Sequence, residues 1–480
     1  MDPSLPGLIV CGALLLVGWL CGAPVLIALF ASLPFGSTAF GTLTSLGGST
    51  PLVYTLMAVL LVAVTASRRR VLHDLAFVFR TQPAAWVVLG LLVYVVLGAQ
   101  ILPRLFAGTT QSFAISRGGI LEQPLIPTSG NITQPGYFAL GVLTFYCVAI
   151  LLLRRGALEQ LRRGFFVFVT LNLLFGVVDL GGKLAGLGDV LSGIRTASYA
   201  FLVEVSASGF WRITGAHPES SAFAIWTLAC LGFTLVHWRT TGSHRSLLLA
   251  VVAFVLVLLS TSTTAYVGLA VMGLIYGLSA MRGLGSGRVG RRDVLVAAVA
   301  PVVVVAALAV HLASEKALDP VVDLIDTMVL NKAQSASGQE RAYWNERSLA
   351  SLSDTYGLGV GLGSSRASSW LIAVVSQLGV PGAMLMGLLV VELLRPPAPV
   401  PPTRAGRDML GFYRGARAAA LAFLVGGALS GGAADPGILF FICLAIALAS
   451  RASVQRPATV PAPVPGGEAI RSAVATGGAR

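Results

Sequence analysis

The chain has 480 residues, of which 55% are hydrophobic and only 11% charged. Soluble domains carry about 25% charged residues, so this composition, with a mean hydropathy of +0.83, excludes a cytosolic enzyme, a disordered chain and a fibre. The net charge of +13 lies in short basic runs between apolar stretches, which points to membrane topology and anionic inner-leaflet lipid and away from nucleic acid.

At ~20 apolar residues per crossing, the apolar windows in chain order predict spans at 7 to 31, 51 to 66, 84 to 102, 136 to 153, 164 to 181 and 219 to 237. The second half adds 246 to 259, 264 to 281, 293 to 312, 368 to 394, 410 to 429 and 437 to 450, with a break near Ser260 to Thr264 that could join two of them. The expectation is an all-α, polytopic membrane domain over 1 to 450 with about twelve transmembrane helices. The first run has no basic leader and is too long for a cleavable signal peptide, so it is read as a retained span. Cys11, Cys21, Cys147, Cys230 and Cys443 all fall in apolar segments and read as packed thiols. Arg395 to Pro402 reads as a stiff polyproline connector, and 451 to 480, rich in Pro, Gly and Ala, as a disordered cytoplasmic tail.

Short cytoplasmic loops are enriched in Lys and Arg. With an inside N-terminus, 23 of the 33 Lys and Arg residues fall on the inside, and most acidic residues fall on the outside. Both termini are therefore expected to be cytoplasmic. Three segments long enough to carry chemistry, 103 to 135, 182 to 218 and 313 to 367, are then extracytoplasmic.

Two constellations stand out on that side. In Arg212-Ile-Thr-Gly-Ala-His-Pro-Glu219-Ser-Ser221, Pro218 is expected to open a helix whose first turn favours an anion. Glu219 is then either a dipole-neutralising first-turn residue or a working carboxylate facing Arg212 at the membrane edge. The second constellation begins with Ser337-Gly-Gln-Glu340, read as a capping box. A stripe of Arg341, Trp344, Asn345, Ser348 and Leu352 follows, facing either water or the headgroup layer. Then comes Gly357-Leu-Gly-Val-Gly361-Leu-Gly363-Ser-Ser-Arg366, whose glycine amides could approach a bulky anion beside an arginine fork. The loop is neither a dinucleotide fingerprint nor a P-loop. Three outer arginines suit a pyrophosphate better than lysines would. His217 and His311 stand alone, no metal-ligand spacing occurs, and no metal or cofactor is expected.

This arrangement resembles the bacterial O-antigen ligase and polymerase superfamily, in particular polymerases of O-antigen and exopolysaccharide repeat units. The resemblance is carried by R-x-x-G-x-x-x-E-x-S at 212 to 221, S-G-Q-E-R-x-x-W at 337 to 344 and G-L-G-V-G-L-G-S-S-R at 357 to 366, and it covers about 200 to 394. It implies a C-type glycosyltransferase in the bacterial inner membrane that takes an undecaprenyl-pyrophosphate-linked glycan as donor, without metal, with a chain-length regulator as a possible partner. Arg212, Arg341 and Arg366, with Gly361 and Gly363, would bind the pyrophosphate. The ligase branch is expected to carry a His after the Gly-rich loop where this chain has Ser368 and Ser369, which favours a polymerase and leaves the base unassigned; Glu219 is the candidate base, and orienting Arg212 is its equally defensible role. The alternative is a transporter or flippase for an anionic lipid-linked solute, whose charges would cluster at the bilayer midplane.

Overall fold

A computed structural model describes residues 2–116, 119–154, 156–198, 206–207, 210–285, 290–296, 326, 331 and 334–452. Its helices are α1 (Leu5–Leu20), α2 (Pro24–Ser32), α3 (Val53–Ala66), α4 (Val71–Thr81), α5 (Ala84–Leu105), α6 (Gly130–Leu151) and α7 (Ala157–Leu184). The series continues with α8 (Ser220–Thr241), α9 (His244–Leu259), α10 (Thr263–Gly285), α11 (Ala336–Asp354), α12 (Trp370–Leu394), α13 (Arg404–Ser430) and α14 (Ile438–Ala452). The protein is mostly helical. Five of these helices, α5, α6, α7, α8 and α12, are long and apolar enough to cross a membrane. Three short antiparallel pairs interrupt the all-α expectation: β1 (Asp2–Pro3) with β2 (Gly41–Thr42), β3 (Gln111–Ser116) with β4 (Gly119–Pro124), and β5 (Ser206–Ala207) with β6 (Phe210–Trp211). The tail from 453, most of the span at 293 to 312 and most of 313 to 335 lie outside the described residues.

Helices occupy the described parts of the predicted spans, but the first span is divided. Pro24 has no amide proton to continue α1, so the chain reverses at Cys21 to Ala23 and returns as α2, with Gly18 directly under the Pro24 carbonyl. This reversal carries Asp2 and Pro3 back to pair with Thr42 and Gly41. The same strand region meets the loop after α7, where the Thr38 hydroxyl donates to Ile194 O (2.6 Å) and the Ala39 amide to Thr196 Oγ1 (2.9 Å). The chain start therefore lies at the end of the bundle that holds the 182 to 218 segment. The last described helix finishes at the other end, where Arg451 pairs with Glu392 (2.9 Å). A helical hairpin stands where one long apolar run suggests a single crossing, so Asp2 and Arg451 lie at opposite ends of the described bundle.

Two further differences have local causes. The predicted inside loop at 67 to 83 contains α4, whose apolar residues are too few for a span and whose Val78 alone is buried. The break at Ser260 to Ser262 separates α9 from α10, and Thr261 adopts a φ of 46° there. The core lies where α8 crosses α13. Gly232 faces the Ala418 carbonyl and Gly415 faces Phe233, and such small residues let helices approach closely. Phe165 stacks on Phe233 with ring centres 4.2 Å apart, and both are fully buried.

Candidate functional site

The segment 212 to 219 reaches the start of α8 as buried, non-helical backbone, and its polar groups need partners away from water. The partners come from the end of α7 and the loop behind it. Asp179 Oδ2 accepts from the amides of Thr214 (2.7 Å) and Gly215 (3.1 Å) and from Lys183 Nζ (3.0 Å), while Lys183 also donates to the Arg212 carbonyl (2.7 Å). Arg195 donates to the carbonyls of His217 and Gly215, each at 2.6 Å, and pairs with Asp189 at 2.9 Å. Removing two charges from water is costly unless further hydrogen bonds satisfy them; in the Asp179–Lys183 pair, nearly fully buried, Asp179 Oδ2 and Lys183 have those bonds in the backbone they fix, while Asp179 Oδ1 is left without a partner. The sequence reading missed this clamp. Its only signal was an Asp and a Lys four residues apart at the end of an apolar helix.

His217 is completely enclosed, with Nε2 3.1 Å from Asn172 Oδ1 and its ring stacked on Trp226. Burial, reinforced by the Arg195 charge, pushes it down to about 3. It is a neutral packing residue.

Glu219 is the N-cap of α8 and Pro218 precedes it, so the helix opens at Ser220, two residues later than expected. The carboxylate makes no capping hydrogen bond to the first-turn amides; it accepts instead from the Ser221 hydroxyl. The bland reading of Glu219 as a helix cap therefore finds no bond to support it. The carboxylate faces charge. Arg212 feels both Glu219 and Arg341, and Arg366 feels the same two groups, so residues from three separate parts of the chain form one electrostatic cluster. Burial holds both Arg212 and Arg366 below the ordinary guanidinium range, while Glu219 pulls them up and Arg341 pushes them down. Among the described residues no direct ion pair joins Glu219 to these arginines. The Nε atoms of Arg212 and Arg366 and the Ser220 hydroxyl are buried without any hydrogen-bond partner.

Arg341 is presented by α11, which starts two residues before the expected capping box, because Ser335 accepts from the Gly338 amide (3.2 Å). Its polar stripe faces protein. Asn345 Oδ1 accepts from the Ser368 amide (2.8 Å) and Ser348 donates to the Arg366 carbonyl (3.4 Å). The opposite face holds the β3–β4 hairpin: Tyr343 donates to Glu122 (2.6 Å) and Arg347 pairs with it (3.0 Å). These bonds hold Glu122 below the usual carboxylate range. The helix thus fixes Arg341 and Arg366 relative to each other.

Comparison with protein-family models and with curated proteins finds no match. The site stands on its own geometry.

The Gly-rich loop behaves differently from the reading that assigned its amides to a ligand. Gly361 donates to the Gln377 carbonyl (2.9 Å), Gly363 to Gln377 Oε1 (3.3 Å) and Val360 to the Ser376 carbonyl (3.0 Å). Those donors are spent on α12 near its kink at Gly379, where the φ is 63°. Gly361 and Gly363 have φ of 84° and 88°, and a Cβ on them would stand 2.8 Å from Gly98 O and 2.2 Å from Gly130 O. Both glycines are required for backbone conformation and close approach. They seat Arg366, and their own amides are already engaged by Gln377. No group of three or more His, Cys, Asp or Glu that could hold a metal ion occurs among the described residues.

Proposed function

We propose that this protein is a polytopic membrane glycosyltransferase of the O-antigen ligase and polymerase kind, joining glycan units carried on a polyprenyl pyrophosphate such as undecaprenyl pyrophosphate. The observation that carries the reading is the pair of buried, unpartnered guanidinium Nε atoms of Arg212 and Arg366 beside Arg341 and Glu219. Guanidinium groups held below full solvation bind a dianionic or trianionic phosphate more strongly than water-exposed ones, and their fork suits two adjacent phosphoryl groups. Placing the Arg212 end outside and the end bearing Arg68, Arg154, Arg239, Arg395 and Arg451 inside follows the enrichment of basic residues on the cytoplasmic face. The chain start is then extracytoplasmic and the end of α14 cytoplasmic, in a bacterial inner membrane.

In this reading the arginines grip the leaving pyrophosphate and stabilise the charge that grows as the glycosidic bond breaks. Glu219, oriented by Ser221, accepts the proton of the attacking sugar hydroxyl. The acceptor attacks from behind the anomeric carbon, so the configuration inverts. A midplane carrier is disfavoured because the charges gather at the rim of the bundle.

The test is binding. Polyprenyl pyrophosphate should stabilise the purified protein more than polyprenyl monophosphate does, and Lys at 212, 341 or 366 should weaken pyrophosphate binding by about tenfold or more, as expected when a fork is replaced by a point charge. Equal affinity for the two phosphates in the parent, unchanged by all three Lys variants, would remove the proposed site.

A further inference from the structure

The end of the bundle opposite Arg212 contains a cavity of about 1080 Å³. It lies between the α1–α2 turn, the start of α7, the end of α8, the start of α9 and the start of α13. Its charged lining consists of Arg162, Arg163, Arg245, Arg404 and Arg407 against only Glu159 and Asp408. Glu159 is already engaged by Arg162 (2.8 Å) and Arg163 (3.0 Å). Arg245 lies over the Phe166 ring, 4.8 Å from its centre, so one wall is apolar and one is cationic.

Two features make this more than a solvated basic surface. First, helices α9 and α13 have no acidic residue in their first turns, which carry His244 and Arg245 in one and Arg404 and Arg407 in the other. Positive side chains at the positive ends of helix dipoles are unfavourable, and Ser243 provides no side-chain cap for α9. An anion would compensate the uncapped start of α9 and the paired arginines at the start of α13, where Thr403 Oγ1 accepts from the Gly406 amide alone (3.1 Å). Second, His237, 98% buried, lines the cavity, and its Nε2 has no hydrogen-bond partner while Nδ1 lies 2.9 Å from Ser246 Oγ. With Nδ1 accepting from Ser246, Nε2 carries a proton with nothing to receive it.

We propose that this cavity is a phosphate-ester binding site, separate from the Arg212 cluster, in which His237 Nε2–H and the rim arginines hold the anion and Phe166, Val167 and Ile27 receive apolar substituents. The two sources of such an anion are the headgroup of an anionic phospholipid and a soluble phosphate. The volume exceeds that of a bare phosphate, and the mixed walls suit a group that is part polar and part hydrocarbon.

The experiment measures the thermal unfolding midpoint of the purified, detergent-solubilised full chain with added phosphatidylglycerol, phosphatidylcholine or inorganic phosphate. Phosphatidylglycerol should raise the midpoint by a few degrees and phosphatidylcholine should not, as expected for a ligand that binds only the folded state. A rise with phosphatidylglycerol alone identifies a lipid source; an equal rise with inorganic phosphate identifies the free anion. The double variant Arg404→Gln/Arg407→Gln alters exposed rim positions and should fold normally but lose the response. Arg69→Gln/Arg70→Gln, exposed and outside the cavity, should keep it. No rise with either phosphate compound, or a rise lost equally in both double variants, would overturn the proposal and leave only diffuse surface charge.

Discussion

Glu219 occupies the cap position of α8 without capping it, and that separates its two roles experimentally. A first-turn acidic residue that only complements the helix dipole contributes ~0.3 to 1 kcal/mol, whereas a general base contributes about 10²- to 10⁴-fold in rate. A folded Glu219→Gln variant should therefore lower turnover by at least about a hundredfold; turnover near the parental rate would assign it to the helix alone. His217 and Asp435 provide a pH test with opposite signs. His217 falls from 6.5 to about 3 on folding, so the unfolded chain binds a proton that the folded one refuses, and the stability present above pH 6.5 is lost as pH falls toward 3. Burial pushes Asp435 up from 3.8 to about 6 against the pull of the Gly437 amide. Its contribution is present below pH 3.8 and is lost as pH rises through 6. Each contributes a slope of at most about 1.4 kcal/mol per pH unit. Unfolding midpoints measured from pH 7 down to 4.5 should show less acid loss in His217→Gln and more in Asp435→Asn. The same slope in all three proteins would contradict the enclosed, neutral His217.

At the scale of elements, the loop from Gly357 to Arg366 is a packing joint that aims an arginine. Gly363→Ala would bring a methyl group 2.2 Å from the Gly130 carbonyl at a φ of 88°, and should cost well over ~1 kcal/mol. Gly136→Ala, in α6 with nothing within 4 Å, should be neutral or stabilising by about 0.5 to 1 kcal/mol. Thermal unfolding of the two variants compares them directly, and equal stability would contradict the close approach of α6 and the loop. The clamp behind Arg212 follows the rule for buried pairs. Lys183→Met alone strands Asp179 and should cost ~3 to 5 kcal/mol, whereas Asp179→Asn/Lys183→Met should cost less than that single change. The sequence made the outer arginines visible because cations are fewer on that face, and the glycines visible because they alternate from Gly357 to Gly363. It left the destination of each amide unreadable, since Gln377 and Ser376 reach the loop only through the α12 kink. The roles of Asp179, Lys183 and Arg195 were hidden for a similar reason: 179 and 212 become neighbours only when α7 and the α8 entry are packed together.

Among the described residues the apolar windows coincide with helices, but they did not reveal α4, α11 or the reversal at Pro24, because a hairpin of two short apolar helices has the same composition as one long span. The reversal sets Asp2 and Arg451 at opposite ends of the described bundle. Cysteines at Asp2 and Tyr356 should react together with an impermeant thiol reagent applied to intact cells, and cysteines at His244 and Arg404 should be protected, in a background where exposed Cys21 is Ser. Joint labelling of positions 2 and 404 would contradict the hairpin. The central claim is that the cluster of Arg212, Arg341, Arg366 and Glu219 transfers glycan from a polyprenyl pyrophosphate. Its most direct test supplies the purified protein with a defined undecaprenyl-pyrophosphate-linked oligosaccharide, with no nucleotide sugar, and separates the lipid-linked products by size. Longer products with release of undecaprenyl pyrophosphate from the parent, and none from a folded Arg366→Lys or Glu219→Gln variant, are the predicted result. No elongation by the parent, or elongation that persists undiminished in both variants, would contradict the claim.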